Sequence, residues 1–413
     1  MGTELYRRDT CRLCGASDLE LVLHLTPCPP VDAYVPAERL GDRQEAIPLD
    51  LFLCLGCGHV QLLDVVHPDL LFGTYIYETS SSPGLVEHFR RYADEVVRLL
   101  NPPKGSLMVD IGSNDGTLLK FLKEQGMRVL GIDPAGNIAQ EATESGIETL
   151  PAFFTAELAC KVKHDRGPVA IVTANNVFAH ADDLGDMADG IRELLAPDGV
   201  FVFEVSYLLD MIQGMVFDFI YHEHLCYHSV KPLESFLRHH GMELIDVQRI
   251  PIKGGSLRGI AQPVGGPRTL SPSVARLVSV EASLGLDRSE IFKSFAVKID
   301  GIKYQLLNLL GELKAQGKTI AGYGASATVT TLIYHFDLGS LLSFLVDDNP
   351  SRQNLFSPGY HIPVLSPQFI YERKPDYVLV LAWRFSEMIV KKHQPYLDQG
   401  GHFIVPLPAI KVT

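Results

Sequence analysis

Leu107-Met108-Val109-Asp110-Ile111-Gly112-Ser113-Asn114-Asp115-Gly116-Thr117-Leu118-Leu119-Lys120-Phe121-Leu122 decides the fold. Five mostly aliphatic residues read as a buried strand, the glycine-bracketed turn follows at its carboxyl end, and Thr117 opens a helix. A strand leading through glycines into a helix is the first unit of a parallel α/β sheet, and the turn lets backbone approach a ligand there. The spacing is G-x-x-x-G rather than the G-x-G-x-x-G that holds a pyrophosphate on a helix N-terminus. With Asn114 and Asp115 inside it, the turn suits a cationic, amino-acid-bearing cofactor better than a dinucleotide.

Aliphatic runs alternate with helical stretches from Pro102 to about Val205, which predicts a doubly wound, Rossmann-like sheet. Val129-Leu130-Gly131-Ile132 ends at Asp133, where a carboxylate can accept both hydroxyls of a ribose. A later strand ends in Asn175-Asn176, amides suited to an amino-acid moiety. Asp110, Gly112, Asn114, Gly116, Asp133, Asn175 and Asn176 are therefore the expected cofactor contacts. The set resembles a class I methyltransferase, and the cofactor which that resemblance implies is S-adenosylmethionine.

Two further regions flank this core. After Gly317 a second α/β alternation begins, with strands predicted at 319–322, 343–346, 377–381 and 402–405. Its Gly322-Tyr323-Gly324-Ala325-Ser326-Ala327 reads alone as a nicotinamide dinucleotide site, the signature of an oxidoreductase or epimerase. It can equally hold the diphosphate of a sugar nucleotide, which makes Gly322 and Gly324 candidate substrate contacts. Residues 273–316 read as helical, with Phe292, Phe295, Val297, Ile299, Ile302, Leu306 and Leu309 as the apolar stripe.

Before the core, Cys11-Arg12-Leu13-Cys14 and Cys54-Leu55-Gly56-Cys57 offer two thiolate knuckles to one tetrahedral ion. Cys11, Cys14, Cys54 and Cys57 are expected to bind a structural Zn²⁺; His59 is not counted as a ligand. An iron–sulfur cluster of the radical type would want C-x-x-x-C-x-x-C, which is absent. The predicted organisation is α/β: a zinc-binding module over 1–72, a cofactor domain over 73–270, a helical connection over 271–316 and a Rossmann-like domain over 317–413.

The chain carries a formal net charge of -13, with 46% hydrophobic and 21% charged residues. That balance argues against nucleic acid, whose backbone demands clustered Lys and Arg. No apolar run is long enough to span a bilayer, and Met1–Arg8 lacks the apolar stretch of a signal peptide, so a cytoplasmic setting is expected, without a membrane partner. Monomer or weak homo-oligomer is the expected state.

The densest chemistry is Tyr221-His222-Glu223-His224-Leu225-Cys226-Tyr227-His228-Ser229. A zinc protease needs H-E-x-x-H, and Cys226 stands where its second His belongs. Methylating carbon requires a carbanion equivalent, and a sugar C–H is acidic enough only beside a carbonyl. Imidazole near neutrality can remove that proton, while a phenol or second imidazole donates to the enolate oxygen. 

The ordered set of both C-x-x-C pairs, Tyr75-Ile76-Tyr77, the 111–116 turn, Ala179-His180, Tyr221–His224 and Gly254-Gly255-Ser256-Leu257-Arg258 resembles the sugar C-methyltransferases of deoxysugar biosynthesis. Their members act on dTDP-linked 4-keto-6-deoxysugars in antibiotic and cell-surface glycan pathways. The resemblance implies methyl transfer to a carbon flanking the ketone, C3 taken ahead of C5. It implies His224 as general base, Glu223, Tyr221 and His222 shaping the site, and Tyr75 and His180 near the methyl donor or sugar. Tyr77, Lys253, Ser256 and Arg258 are the remaining expected substrate contacts.

Overall fold

The computed structural model describes residues 5–72 and 78–413. Tyr75 and Tyr77 lie outside the described residues. 

The N-terminal region holds β1 (Leu5–Arg7), β2 (Leu19–Cys28), β3 (Ile47–Cys54), β4 (Val60–Leu62) and β5 (Asp64–Val66). β2, β3 and β4 form an antiparallel sheet, and the cysteine knuckles lie before β2 and at the β3–β4 turn. The region is thus more regular than its prolines and cysteines suggest. In β2 the buried Val22, Leu23 and Leu25 supply the apolar positions that a partnered strand needs.

The central domain contains β6 (Leu107–Ile111), β7 (Arg128–Ile132), β8 (Thr149–Leu150), β9 (Val169–Asn175) and β10 (Leu195–Ser206). After the histidine segment come β11 (Cys226–Tyr227), β12 (Met242–Ile250) and β13 (Ser256–Pro263). The seven-stranded sheet has the order β12-β13-β10-β9-β6-β7-β8. Its pairings are parallel except where β13 runs against β10 and β12. β6 is buried along its whole length because helices cover both faces of a doubly wound sheet. The chain order reverses direction at β6, with β7 on one side and β9 on the other, and such switch points open a crevice at the carboxyl ends.

β11 leaves this domain. It pairs with β4, placing Cys226 opposite Gln61 and Tyr227 opposite Val60, and so completes the sheet of the cysteine module. The segment carrying the histidines is therefore bolted onto the metal-binding region.

The last domain is a six-stranded sheet of order β16-β15-β14-β17-β18-β19, built from β14 (Ile320–Tyr323), β15 (Leu345–Val346), β16 (Val364–Leu365), β17 (Tyr377–Val380), β18 (His402–Val405) and β19 (Lys411–Val412). It docks through buried polar bonds: the Trp383 indole and the Arg384 guanidinium donate to Asp218, and the Thr331 hydroxyl donates to Ile220 O. The helices Pro272–Leu284 and Ser289–Ala315 connect the two sheets. On the longer one Phe292, Phe295, Ile299, Leu306, Leu310 and Leu313 are buried, while Val297 is 71% exposed. Val297 does not belong to the stripe, since five residues beyond Phe292 a helix has turned well past the buried face. Among the described residues no helix is long and apolar enough to cross a membrane.

Candidate active site

A cavity of about 430 Å³ starts at the carboxyl ends of β6, β7 and β9 and reaches the histidine segment. Its first half is lined by Asp110, Gly112, Ser113, Asn114, Asp133, Asn175 and Asn176, and its second by His180, Tyr221, His222, Glu223, His224 and Lys253. Six of the seven expected cofactor residues are thus brought together.

Burial raises the Asp110 carboxyl to about 7, against the Thr173 hydroxyl that donates to it at 2.6 Å. Asp133 accepts the amides of Asn114 and Ala135 at 2.8 and 2.9 Å, and burial still raises it. Among the described residues neither carboxylate has a cationic side chain against it, so a ligand bearing positive charge or hydroxyl donors fits there. The buried Asn175 amide lies against the Tyr92 hydroxyl, and among the described residues the buried Ser113 hydroxyl has no hydrogen-bond partner. These residues fit S-adenosylmethionine.

Gly112 has φ 68, and a Cβ there would stand 2.3 Å from Val177 Cγ2. Gly116 is the exception among the seven. It does not line the cavity; it starts a helix at φ 75, and a Cβ would meet Ile147 at 2.9 Å, so its role is close packing. The side-chain oxygens of Asn114 and Asp115 accept the amides of Thr79 and Ser80 at 2.8 and 2.7 Å, which ties the chain just beyond Tyr75 and Tyr77 to the cofactor turn.

In the second half the His224 ring lies 4.0 Å from that of Tyr221 and 5.1 Å from that of His180, centroid to centroid. Phe72 of the N-terminal region also stacks on His180, ring centroids 5.7 Å apart. His224 Nδ1 is 2.8 Å from Phe219 O, and a carbonyl can only accept, so Nδ1 carries the proton and Nε2 keeps its lone pair. His222 is fixed differently, its Nε2 donating to Ile47 O of β3 at 3.3 Å. Burial lowers His224 and His222 to about 4 and His180 well below the ordinary range. All three are neutral at physiological pH. Glu223 is pushed upward by burial and then by the nearby Asp32 carboxylate, so its acid form persists at neutrality.

Four expected substrate contacts stand elsewhere. The Arg258 guanidinium is buried against Glu204 and Glu95 and over the Tyr92 ring, so it is neutralised within the fold. Ser256 donates to Ile252 O within its own hairpin. Gly322 lies inside β14 beneath Leu345 and Leu381. Gly324, at φ 116, abuts Ala382, and the following amide of Ala325 donates to the Asp347 carboxylate at 2.6 Å. The turn's Ala325 amide is thus taken by an acidic side chain, and this turn does not line the cavity.

Sequence reading missed Asp182, Asp183 and Asp186, which line the cavity beyond His180, and Phe153 and Phe154, which follow β8. Paired aromatics after a short strand, and acids trailing the Asn-Asn strand end, were the available signals.

In the cysteine module the four Sγ atoms lie within 4.8 Å of one another. Cys11 and Cys57 are 3.7 Å apart and Cys14 and Cys54 3.5 Å. A tetrahedral zinc with Zn–S of about 2.3 Å separates its thiolates by roughly 3.8 Å, so the set fits zinc and leaves no open position for substrate. Arg12, inside the first knuckle, ion-pairs at 2.9 Å with Asp182, two residues from His180.

Family models match the chain in three places: a zinc binding domain over residues 11–72, a methyltransferase domain over 86–247 and a C-methyltransferase C-terminal domain over 251–408. C-methyltransferase NovU of Streptomyces niveus is 35% identical over 410 residues, covering 98% of this chain and 96% of that protein. A ubiquinone biosynthesis O-methyltransferase of Azorhizobium caulinodans is 33% identical over 123 residues, 29% of this chain and 46% of that protein. Among solved structures, an S-adenosylmethionine-dependent methyltransferase of Clostridium acetobutylicum superposes with a TM-score of 0.36 at 14% identity, covering 44% of this chain and 92% of its own. With relatedness running from the first cysteine knuckle to the last sheet, the chain belongs to the family of S-adenosylmethionine-dependent C-methyltransferases that includes NovU.

Proposed function

We propose that the acceptor is a nucleotide-linked 4-keto-6-deoxysugar, dTDP-linked, methylated on a ring carbon flanking the ketone, with C3 taken ahead of C5. The observation that carries this reading is His224: the bond from Nδ1 to Phe219 O leaves an unprotonated Nε2 in the same cavity as the cofactor carboxylates. A neutral imidazole with its lone pair free can remove a C–H proton, which methylation of oxygen seldom requires and methylation of carbon does. Glu223 in its acid form and Tyr221 beside His224 supply donors for the enolate oxygen.

The rival use of the 322–327 turn as a dinucleotide site is disfavoured by its position away from the cavity that holds the histidine segment. Incubation with methyl-labelled S-adenosylmethionine and a panel of sugar nucleotides tests the substrate class. Label should enter 4-keto sugars and not their 4-hydroxy counterparts; equal labelling of both would refute the reading.

Asp133→Ala is expected to weaken S-adenosylmethionine binding by roughly 2–4 kcal/mol, the size of two lost charge-assisted hydrogen bonds. Sugar-nucleotide affinity should hold. Titration calorimetry with each ligand separates the two, and unchanged cofactor affinity would remove Asp133 from the site.

A further inference from the structure

Lys253 is the one lysine or arginine that lines the cavity among the described residues, against the acidic side chains of Asp110, Asp133, Asp182, Asp183, Asp186 and Glu223. It sits at the β12–β13 turn with φ 52, followed by Gly254 at φ 83 and Gly255 at φ 115. Three successive residues in a left-handed conformation are held by wedging: a Cβ on Gly255 would lie 2.2 Å from Asp210 Cβ, and one on Gly254 3.1 Å from Val216 Cγ1. A lysine in this conformation is unfavourable unless the surroundings impose it, and such positions concentrate at functional sites. Among the described residues the Lys253 ammonium forms neither a hydrogen bond nor an ion pair. Arg384, the neighbouring cation, is by contrast paired with Asp218.

We propose that the Lys253 ammonium is a catalytic group that faces the substrate's carbonyl oxygen and stabilises the enolate formed there, an inference that rests on the keto-sugar reading above. The proton leaves carbon for His224 Nε2, the C–H electron pair becomes the enolate double bond, and the carbonyl pair moves to oxygen beside Lys253. The enolate carbon then forms its bond to the methyl group as the bond from methyl to sulfur breaks, the ketone is restored, and His224 returns its proton to solvent. His224 is a weak base, lowered by burial and further by Lys253 itself, so stabilisation of the oxyanion has to carry the proton transfer.

Around Lys253 the titratable and charged groups are Glu204 on β10, Glu223 and His224 on the histidine segment, His180 after β9 and Arg384 of the last domain. Burial lowers Lys253 to about 8, with the Glu204 carboxylate pulling the other way. Its charged form is present below that pH and lost above it.

The test is deuterium wash-in from D₂O to the carbons flanking the ketone of dTDP-4-keto-6-deoxyglucose, followed by NMR for wild type, Lys253→Met and Lys253→Arg, alongside methyl transfer with S-adenosylmethionine. Lys253→Met should slow exchange and methyl transfer by about 10²-fold or more at saturating substrate, the usual loss of an oxyanion-stabilising group, with KM nearly unchanged. Lys253→Arg should keep much of the rate and abolish the alkaline fall near pH 8, because guanidinium stays charged. Should Lys253→Met fail to fold, the pH profile of Lys253→Arg decides alone. Wild-type exchange in Lys253→Met, an alkaline limb unmoved in Lys253→Arg, or a KM raised tenfold with saturating rates intact would overturn the proposal; the last result would make Lys253 a phosphate holder. If wild type neither exchanges nor methylates this ketone, the keto-sugar reading falls, and the proposal with it.

Discussion

Replacing His224 with asparagine is expected to lower kcat for methyl transfer by about 10²–10⁴, the usual contribution of a positioned general base. Asparagine can still donate to Phe219 O, as Nδ1 does now, but it has no basic nitrogen to turn toward the substrate. Binding of cofactor and sugar nucleotide should change little, so the loss should appear in kcat rather than KM. The pH dependence carries more detail. Reading the sequence alone places this imidazole near its ordinary pKa of about 6.5. In the fold, burial lowers it to about 4, so the free base is present at all pH values above that and the acid limb should lie near 4 rather than 6.5. Undiminished turnover in His224→Asn would pass the role to another group, with His180, stacked 5.1 Å away, next in line.

Loss of the metal should be as damaging, by a different route. Chelation, or Cys54→Ser, is expected to unfold the N-terminal module, since structural zinc contributes about 10–16 kcal/mol in small zinc-folded units, comparable to the whole stability of a typical domain. Folded yield should drop sharply, and metal analysis of fresh wild-type protein should find one zinc per chain. The catalytic site should go with it, because the module holds both walls of the histidine pocket. β4 pairs with β11 directly after His224, and Leu62 donates to Leu225 O at 2.9 Å. Arg12 grips Asp182 beside His180, and Phe72 stacks on His180 itself. Full methyl transfer by a zinc-free protein with normal secondary structure would contradict this coupling.

The parallel strands β6, β7 and β9 and the strands β14, β15, β17 and β18 were legible in the sequence because they are short aliphatic runs, whereas the antiparallel pair β12 and β13 was not. The convergence of Asp110, Asp133, Asn175 and Asn176 on one cavity was legible because they sit at strand ends, and strand ends converge in a doubly wound sheet. What failed were inferences needing tertiary partners. Arg258 looks like a substrate clamp in its Gly-Gly-Ser-Leu-Arg context, and only the fold reveals Glu204 and Glu95 against it. β11 is two residues long and pairs with a strand far earlier in the chain, which no local pattern encodes. The 322–327 turn has dinucleotide spacing, yet it lies away from the cavity, and the carboxylate that accepts its Ala325 amide arrives from the end of β15. Gly116 matched a ligand-binding motif, yet it stands outside the cavity lining and packs against Ile147.

The most direct test of the central claim follows the atom that moves. S-adenosylmethionine labelled with ¹³C in its methyl group, incubated with the enzyme and a dTDP-4-keto-6-deoxysugar uniformly ¹³C-labelled in its ring, should give a product whose new methyl carbon shows one-bond coupling to C3 or C5. A methyl resonance at the shift of a methyl ether, without that coupling, or no transfer to any keto sugar, would contradict it.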